Sequence, residues 1–384
     1  MLNAWTLEID DPEVAVGEIL GQLDLENSLL ARSAGFITCS YDYVESGMVR
    51  AVCEALPFAV VGGTTLTNAV NGEGGAMLFC LTVLTADDCS FAVAGSEPLS
   101  GNYRQAVGKA WADAAARLED KPGLALAFFP MLGDIGGELI LEALDEAAGG
   151  TPVFGTIACD FDTALYRNTF TILNGECMRD RMAMLVISGN VRPRFVVTAT
   201  SEQNLHKQQA VITASEGSIL REINGMSAES YFRSIGMAGG MEGVSSVPFV
   251  VNYNDGTQPV ARAIYSLNED GSAVCGGRMP EGGTLSIGRM DEADILLTAE
   301  LSLGELAREE GVAGIIMFPC LGRNMVLGST PLAEVDTVRN TLNGLLPPIP
   351  WHLAYSGGEV CPVHGGSGGV VNRFHNFTFI ACAL

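Results

Sequence analysis

The chain has 384 residues, 48% of them hydrophobic and 17% charged, a balance that describes a well-buried globular protein and excludes disorder. Acidic residues outnumber basic ones 45 to 21, giving a formal charge of −24 that repels nucleic-acid backbones and anionic membranes alike. The length exceeds a usual single core and predicts two domains.

The N-terminus reads as a short strand, "WTLEI", then a helix over 11–24. Asp11 is placed to cap that helix, Pro12 suits its first position, and Val16, Ile19, Leu20 and Leu23 form its apolar face. A pattern then repeats. Its first pass is an apolar strand (34–40), an amphipathic helix (45–56) and a strand ending in glycines (58–67), followed by the strand pair "GGAMLFCLTVL" and "CSFAVAGSE". The second pass has strand 124–130, helix 136–147 and strand 151–160, followed by the pair "NTFTILNG" and "RMAMLVISG".

Between the second and third passes, 209–236 predicts a hairpin turning at Glu216-Gly217, a second turn at Asn224-Gly225 and a short helix. Further strands and a helix over 293–311 follow. The third, looser pass begins at "AGIIMFPC" (313–320) and continues with a helix (333–345), "WHLAYSGGEV" (351–360) and the closing strand "RFHNFTFIACAL". Gly62, Gly155 and Gly357 are expected at the same place in each unit, where a strand gives way to a tight turn.

Such strand–helix–strand–strand units imply an α/β (α+β mixed) protein: two domains of mixed, largely antiparallel sheets flanked by helices. Periodicity lapses in "GMAGGMEGVSS", which places the divisions at 1–30, an N-terminal strand and helix, then 31–235 and 236–384. The start has no basic region and no unbroken apolar run, and no segment has the charge-free length of a membrane span, so a cytoplasmic location is expected. The ten cysteines include no C-x-x-C pair, and most lie in apolar strand-like runs as small buried hydrophobes. Cys361 is the exception, expected in a loop beside His364.

Taken in order, "VITASEGSILREINGMSAESYF", "MFPCLGR" with Glu334 downstream, "YSGGEVCP" and "HNFTFIACAL" resemble the FIST (F-box and intracellular signal transduction) modules. "AVVGGTTLTNAV" and "TPVFGTIACDFDTALYRNTFTILNG" echo the N-terminal half of that family, and the likeness runs from about Ala31 to Leu384. The resemblance implies a stand-alone sensory module for small ligands such as amino acids, which would report to a signalling protein partner. It implies neither a cofactor nor a nucleic-acid partner.

Four positions carry candidate ligand chemistry. Arg323, just beyond Cys320 in "FPCLGR", suits a carboxylate held through two parallel hydrogen bonds, or a structural ion pair with Glu334. Glu359 follows the Gly357-Gly358 turn and could accept from a ligand amine, or serve as the partner of Arg323. His375 and Asn376 enter the last strand, where the amide both donates and accepts. Gly62-Gly63 is a further possible wall, because glycine lets backbone N–H groups approach a ligand.

Two alternatives stay open. Cys361 and His364 have C-x-x-H spacing, but no second half-site completes a zinc set. A cysteine-dependent hydrolase or transferase would need Cys320 or Cys361 beside His364 or His375. No phosphate loop is present, since "GNYRQAVGKA" has the wrong spacing and alanine after its lysine.

Overall fold

Three strand–helix–strand passes build the framework. The computed structural model describes residues 1–161, 167–237, 247–308, 311–344, 348–365 and 369–384. Most of the stretch taken to mark the domain boundary (238–246) and the centre of "GGSGG" (366–368) lie outside them.

The first unit comprises β1 (Leu2–Thr6), α1 (Pro12–Leu23), the single turn α2 (Leu25–Ser28), β2 (Arg32–Cys39), α3 (Asp42–Glu45), α4 (Met48–Ala55) and β3 (Val60–Thr64). A hairpin of β4 (Asn68–Val70) and β5 (Glu73–Gly75) follows, then β6 (Phe79–Ala86). Asp11 caps α1 as expected, its side chain accepting from the N–H groups of Glu13 and Val14. The second unit repeats the plan with β7 (Cys89–Gly95), α5 (Tyr103–Ala115), β8 (Pro122–Phe129), α6 (Gly137–Ala148) and β9 (Val153–Ile157). Its hairpin is β10 (Thr171–Leu173) and β11 (Glu176–Met178), and its return strand is β12 (Ala183–Gly189).

The third unit opens on β13 (Arg194–Thr198) and departs into an insertion. That insertion holds β14 (Ala210–Glu216), β15 (Ile219–Ile223), β16 (Met226–Ser227), α7 (Ala228–Ser234), β17 (Phe249–Asn252), β18 (Val260–Arg262), β19 (Ile264–Leu267), β20 (Ala273–Cys275) and β21 (Thr284–Ile287). The unit resumes with α8 (Glu292–Leu306), β22 (Ile315–Met317), α9 (Leu321–Leu327), α10 (Ala333–Asn343) and β23 (Trp351–Ala354). It ends with the hairpin β24 (Glu359–His364) and β25 (Val370–His375) and the return strand β26 (Phe379–Ala383).

Each unit makes one parallel pair, β2 with β3, β8 with β9 and β22 with β23; the other ladders are antiparallel. Each hairpin leaves home. The hairpin β4–β5 joins β23 of the third unit, β10–β11 joins β3 of the first, and β24–β25 joins β9 of the second. The strand pairs expected from sequence therefore do not pair with each other: β6 lies against β1 and β2, whereas β7 lies against β12. Likewise β10 and β12 enter different sheets. Helices α1 and α4, α5 and α6, and α8 and α10 cover the outer faces, and the inner faces meet in one core holding Phe36, Phe128, Ile316 and Cys382.

At the centre the chain turns after each second parallel strand are stitched in a ring. The N–H of Thr64 donates to Phe170 O (2.9 Å), that of Ile157 to Gly358 O (3.0 Å) and that of Tyr355 to Thr67 O (3.0 Å). Gly62 and Gly155 occupy one rung, opposite Ile37 and Ala127, where a Cβ would collide with the facing carbonyl oxygen. Leu353 occupies that rung in the third unit, opposite Met317. Gly357 comes later, in the elbow after β23, so the expected three-way glycine match holds for two units.

The insertion is a small closed sheet. β18 and β19 form one run broken at Ala263, whose ends pair with β17 and β20, and the order β17-β21-β14-β15-β20 completes the circuit. Its own core, including Ile212, Leu220, Phe249 and Leu285, fills it. The hairpin turn at Gly217 and the turn at Asn224-Gly225 fall where the sequence placed them. The division at 235/236 falls inside this barrel, between α7 and β17.

The hairpin exchange carries a prediction. Fragment 1–190 produced alone should lack a cooperative urea transition, and mixing it with fragment 191–384 should restore its share of the fold by circular dichroism. A cooperative transition in fragment 1–190 alone would contradict the exchange.

Candidate functional site

Arg323 projects from the first turn of α9 into the protein and is fully buried. Its Nε and Nη2 donate to Glu334 Oε1 at 2.9 and 2.6 Å, and Nη2 also meets Ile295 O and Thr298 Oγ1. The other oxygen of Glu334 accepts from Tyr355 Oη at 2.8 Å. The fork that could hold a ligand carboxylate is thus occupied by a carboxylate from α10. Only Nη1 has no hydrogen-bond partner.

Glu359, equally buried, accepts through Oε2 from the N–H and hydroxyl of Thr378, while Oε1 has no partner. Burial pushes its carboxyl up to about 8, against the opposing pull of the Thr378 bonds, the Cys320 thiol and the Arg323 charge. Near neutrality it is a largely uncharged acid. Burial, followed by the neighbouring Glu359, pushes the Cys320 thiol well above its ordinary value, the reverse of an activated nucleophile. The structure therefore brings Arg323, Cys320 and Glu359 into one buried polar cluster, with Gly357 and Gly358 forming the elbow that leads into it.

The remaining candidates disperse. His375 faces Glu359 across the hairpin, but its Nε2 lies 3.1 Å from Cys361 O, and burial holds the ring neutral, pushed down to about 3. Asn376 turns to the barrel: its Oδ1 accepts from Ala263 N–H (3.1 Å) and its N–H donates to Ala261 O (3.2 Å). Gly62 and Gly63 are paired inside the first sheet with Ile172 and Thr171. Cys361 is not in a loop; it lies in β24, fully buried, whereas His364 ends that strand exposed. Positions three apart on a strand face opposite ways, which separates the C-x-x-H pair. Among the described residues no cluster of three metal-ligating side chains occurs.

An open cleft of about 710 Å³ lies at the carboxyl ends of β8 and β9. The unit contributes Met131, Leu132, Gly137, Glu138 and Ile157, and the neighbouring elbow contributes Gly357. The barrel supplies the opposite wall through Glu216, Ser218, Tyr265, Cys275 and Arg278. Parallel strands diverging into their connections leave such a crevice at this end. In the third unit α9 and Arg323 follow the corresponding strand, and in the first Tyr41 stacks on Phe170 at 5.9 Å. The first turn of α6 reaches the cleft with Gly136 as its cap residue and no side-chain cap. Asp134, Glu138, Glu142 and Glu216 make the walls acidic, with Arg278 as their basic counterpart. Sequence reading missed this wall; its signal was the glycine-rich strand-to-helix passage "PMLGDIGGEL".

Two family models match the chain, the FIST N domain over residues 33–226 and the FIST C domain over 219–362. The chain belongs to the FIST family. FIST domains are associated with sensory roles in signal transduction. Cyanuric acid hydrolase from A. caulinodans is similar to this FIST protein at 12% identity, covering 100% of this chain and 99% of that one, with a TM-score of 0.36. A second cyanuric acid hydrolase structure, described as an evolutionary innovation by structural concatenation, has 10% identity, 75% and 98% coverage and a TM-score of 0.27. No curated protein matches the chain. Among the described residues no helix is long and apolar enough to cross a membrane.

Two outcomes test the buried cluster. Arg323→Ala and Glu334→Ala should each cost about 3–5 kcal/mol in urea unfolding, because each strands a buried charge, and Arg323→Met with Glu334→Leu should recover most of it. A loss below about 1 kcal/mol for Arg323→Ala would place that group in water. For Glu359 the folded-state affinity for a proton exceeds the unfolded one. Its contribution is therefore whole below the ordinary carboxyl value of 4.5 and is lost as pH rises through about 8. Stability should fall by up to about 1.4 kcal/mol per pH unit across that window, and Glu359→Gln should flatten the fall.

Proposed function

We propose that this FIST protein is a cytoplasmic sensor that binds a small ligand in the cleft between α6 and the barrel and reports to a signalling protein. The observation that carries the reading is the cleft itself: about 710 Å³ at the carboxyl ends of two parallel strands, walled by the second unit and the barrel. Its chemistry suits an amino acid or another small carboxylate. The first turn of α6 and the Arg278 guanidinium are donors for a carboxylate. Glu216, Asp134 and Glu142 are acceptors for an amine, while Met131, Leu132 and Phe374 offer an apolar floor. Gly357 lines that cleft, and Arg323, Cys320 and Glu359 form the buried scaffold behind its elbow. All ten cysteines are free, as a reducing compartment allows.

The test is a thermal-shift screen of the twenty amino acids and a panel of small carboxylates. At a hundredfold excess over Kd a ligand stabilises the fold by about 2.7 kcal/mol. We expect at least one member to raise Tm, and Ser218→Trp, which fills the barrel wall, to abolish the rise without lowering the Tm of the free protein. An effect that survives Ser218→Trp would move the site elsewhere, and silence across the panel would remove the amino-acid reading.

A further inference from the structure

The barrel is joined to the three-sheet body by polar groups, and one of them is out of the ordinary. Arg262, on β18, is fully buried, and every N–H of its guanidinium is used. Nη2 donates to Glu138 Oε1 (2.9 Å) and Tyr253 Oη (2.6 Å), Nε to Arg278 O (3.2 Å), and Nη1 to Phe374 O and Ala261 O. Glu138 belongs to the first turn of α6, and its second oxygen accepts from the Arg278 N–H. This buried ion pair thus ties a barrel strand to the helix that forms the opposite wall of the cleft, and the exposed Arg278–Glu142 pair (3.8 Å) also joins the barrel to that helix.

Around this pair most contacts are also polar, apart from a small apolar cluster in which Ala263 of the barrel joins Ile295, Leu327 and Phe377 of the body. Asn376 bonds Ala261 and Ala263, Gln258 N–H donates to His364 O, and Arg373 pairs with Asp255. The apolar core of the barrel is a cluster distinct from those of the three sheets. A largely polar joint between two separately filled cores is the kind that opens without unfolding either side. The side chain of Glu138 is 17% exposed and lines the cleft, so the latch is reachable from the ligand's side.

We propose that the barrel is a lid that opens and closes over the cleft as a body, with Arg262–Glu138 as its latch. Its purpose rests on the reading of the cleft as a ligand site, but its existence does not. Opening separates the two walls; closing brings Gly277, which lies beside Arg262 on the barrel, against Glu138, where a Cβ would lie 2.8 Å from Glu138 Oε2. Anything held between the walls favours the closed state, because it contacts both walls only there.

Hydrogen exchange of the full chain, without ligand, decides this. The amides of Gln258, Ala263 and Asn376 bridge lid and body, whereas those of Thr64, Ile157 and Tyr355 lie in the central ring. In Glu138→Gln we expect the first group to exchange about tenfold faster, equivalent to about 1.4 kcal/mol, with the second unchanged. Gly277→Ala, which crowds the latch without altering charge, should give the same local pattern. Unchanged exchange in the first group, or equal acceleration of both groups, overturns the lid. A failed ligand screen would leave this result standing, and a failed latch would leave the screen standing.

Discussion

The fold depends on a ring of three backbone hydrogen bonds, from Thr64 to Phe170, Ile157 to Gly358 and Tyr355 to Thr67. Each donor is in one unit, and each acceptor begins the hairpin that the next unit in the ring sends across. A unit alone would leave these groups unpaired in an apolar interior, where an unmade backbone bond costs about 1–3 kcal/mol. Three units together satisfy one another and bury a shared core around Phe36, Phe128 and Ile316. The close approach of strands at that centre is why glycine stands at 62 and 155.

The same geometry sets the chemistry. The carboxyl ends of all three parallel pairs converge near the ring, but they are finished differently. The third unit carries a charged cluster there, with Arg323 matched by Glu334 and Glu334 matched again by Tyr355. Glu359 stays largely uncharged because burial outweighs the pull of its Thr378 hydrogen bonds, the Cys320 thiol and the Arg323 charge. The second unit leaves its strand ends open, and the barrel closes over the opening through the polar joint at Glu138 and Asn376.

Much of the framework was legible in the sequence. The three passes, helices α1, α4, α6, α7, α8 and α10 and both turns of the insertion follow from apolar period, capping residues and Asn-Gly or Glu-Gly pairs, whereas α5 and α9 went unread. Partner choice was not, since alternation marks a strand without marking its neighbour, so β6 and β7 read as a pair although they enter different sheets. Arg323 and Glu334 were both visible as candidates for one ion pair, but their complete burial follows only from how α9 and α10 fold back over β22 and β23. Cys361 read as a loop residue because glycines flank its strand on both sides. The cleft escaped because "GDIGGEL" is also how an ordinary helix begins, and its other wall comes from a barrel whose closure no local signal announces.

The exchanged hairpins also set a timetable for synthesis. Strand β4 (Asn68–Val70) leaves the ribosome well before its partner β23 (Trp351–Ala354) is made. At about 5–20 residues per second the wait is on the order of tens of seconds, during which open sheet edges face the crowded cell. A nascent chain of this design cannot close its third exchange until β23 has emerged, so its early hairpin waits on a strand made much later.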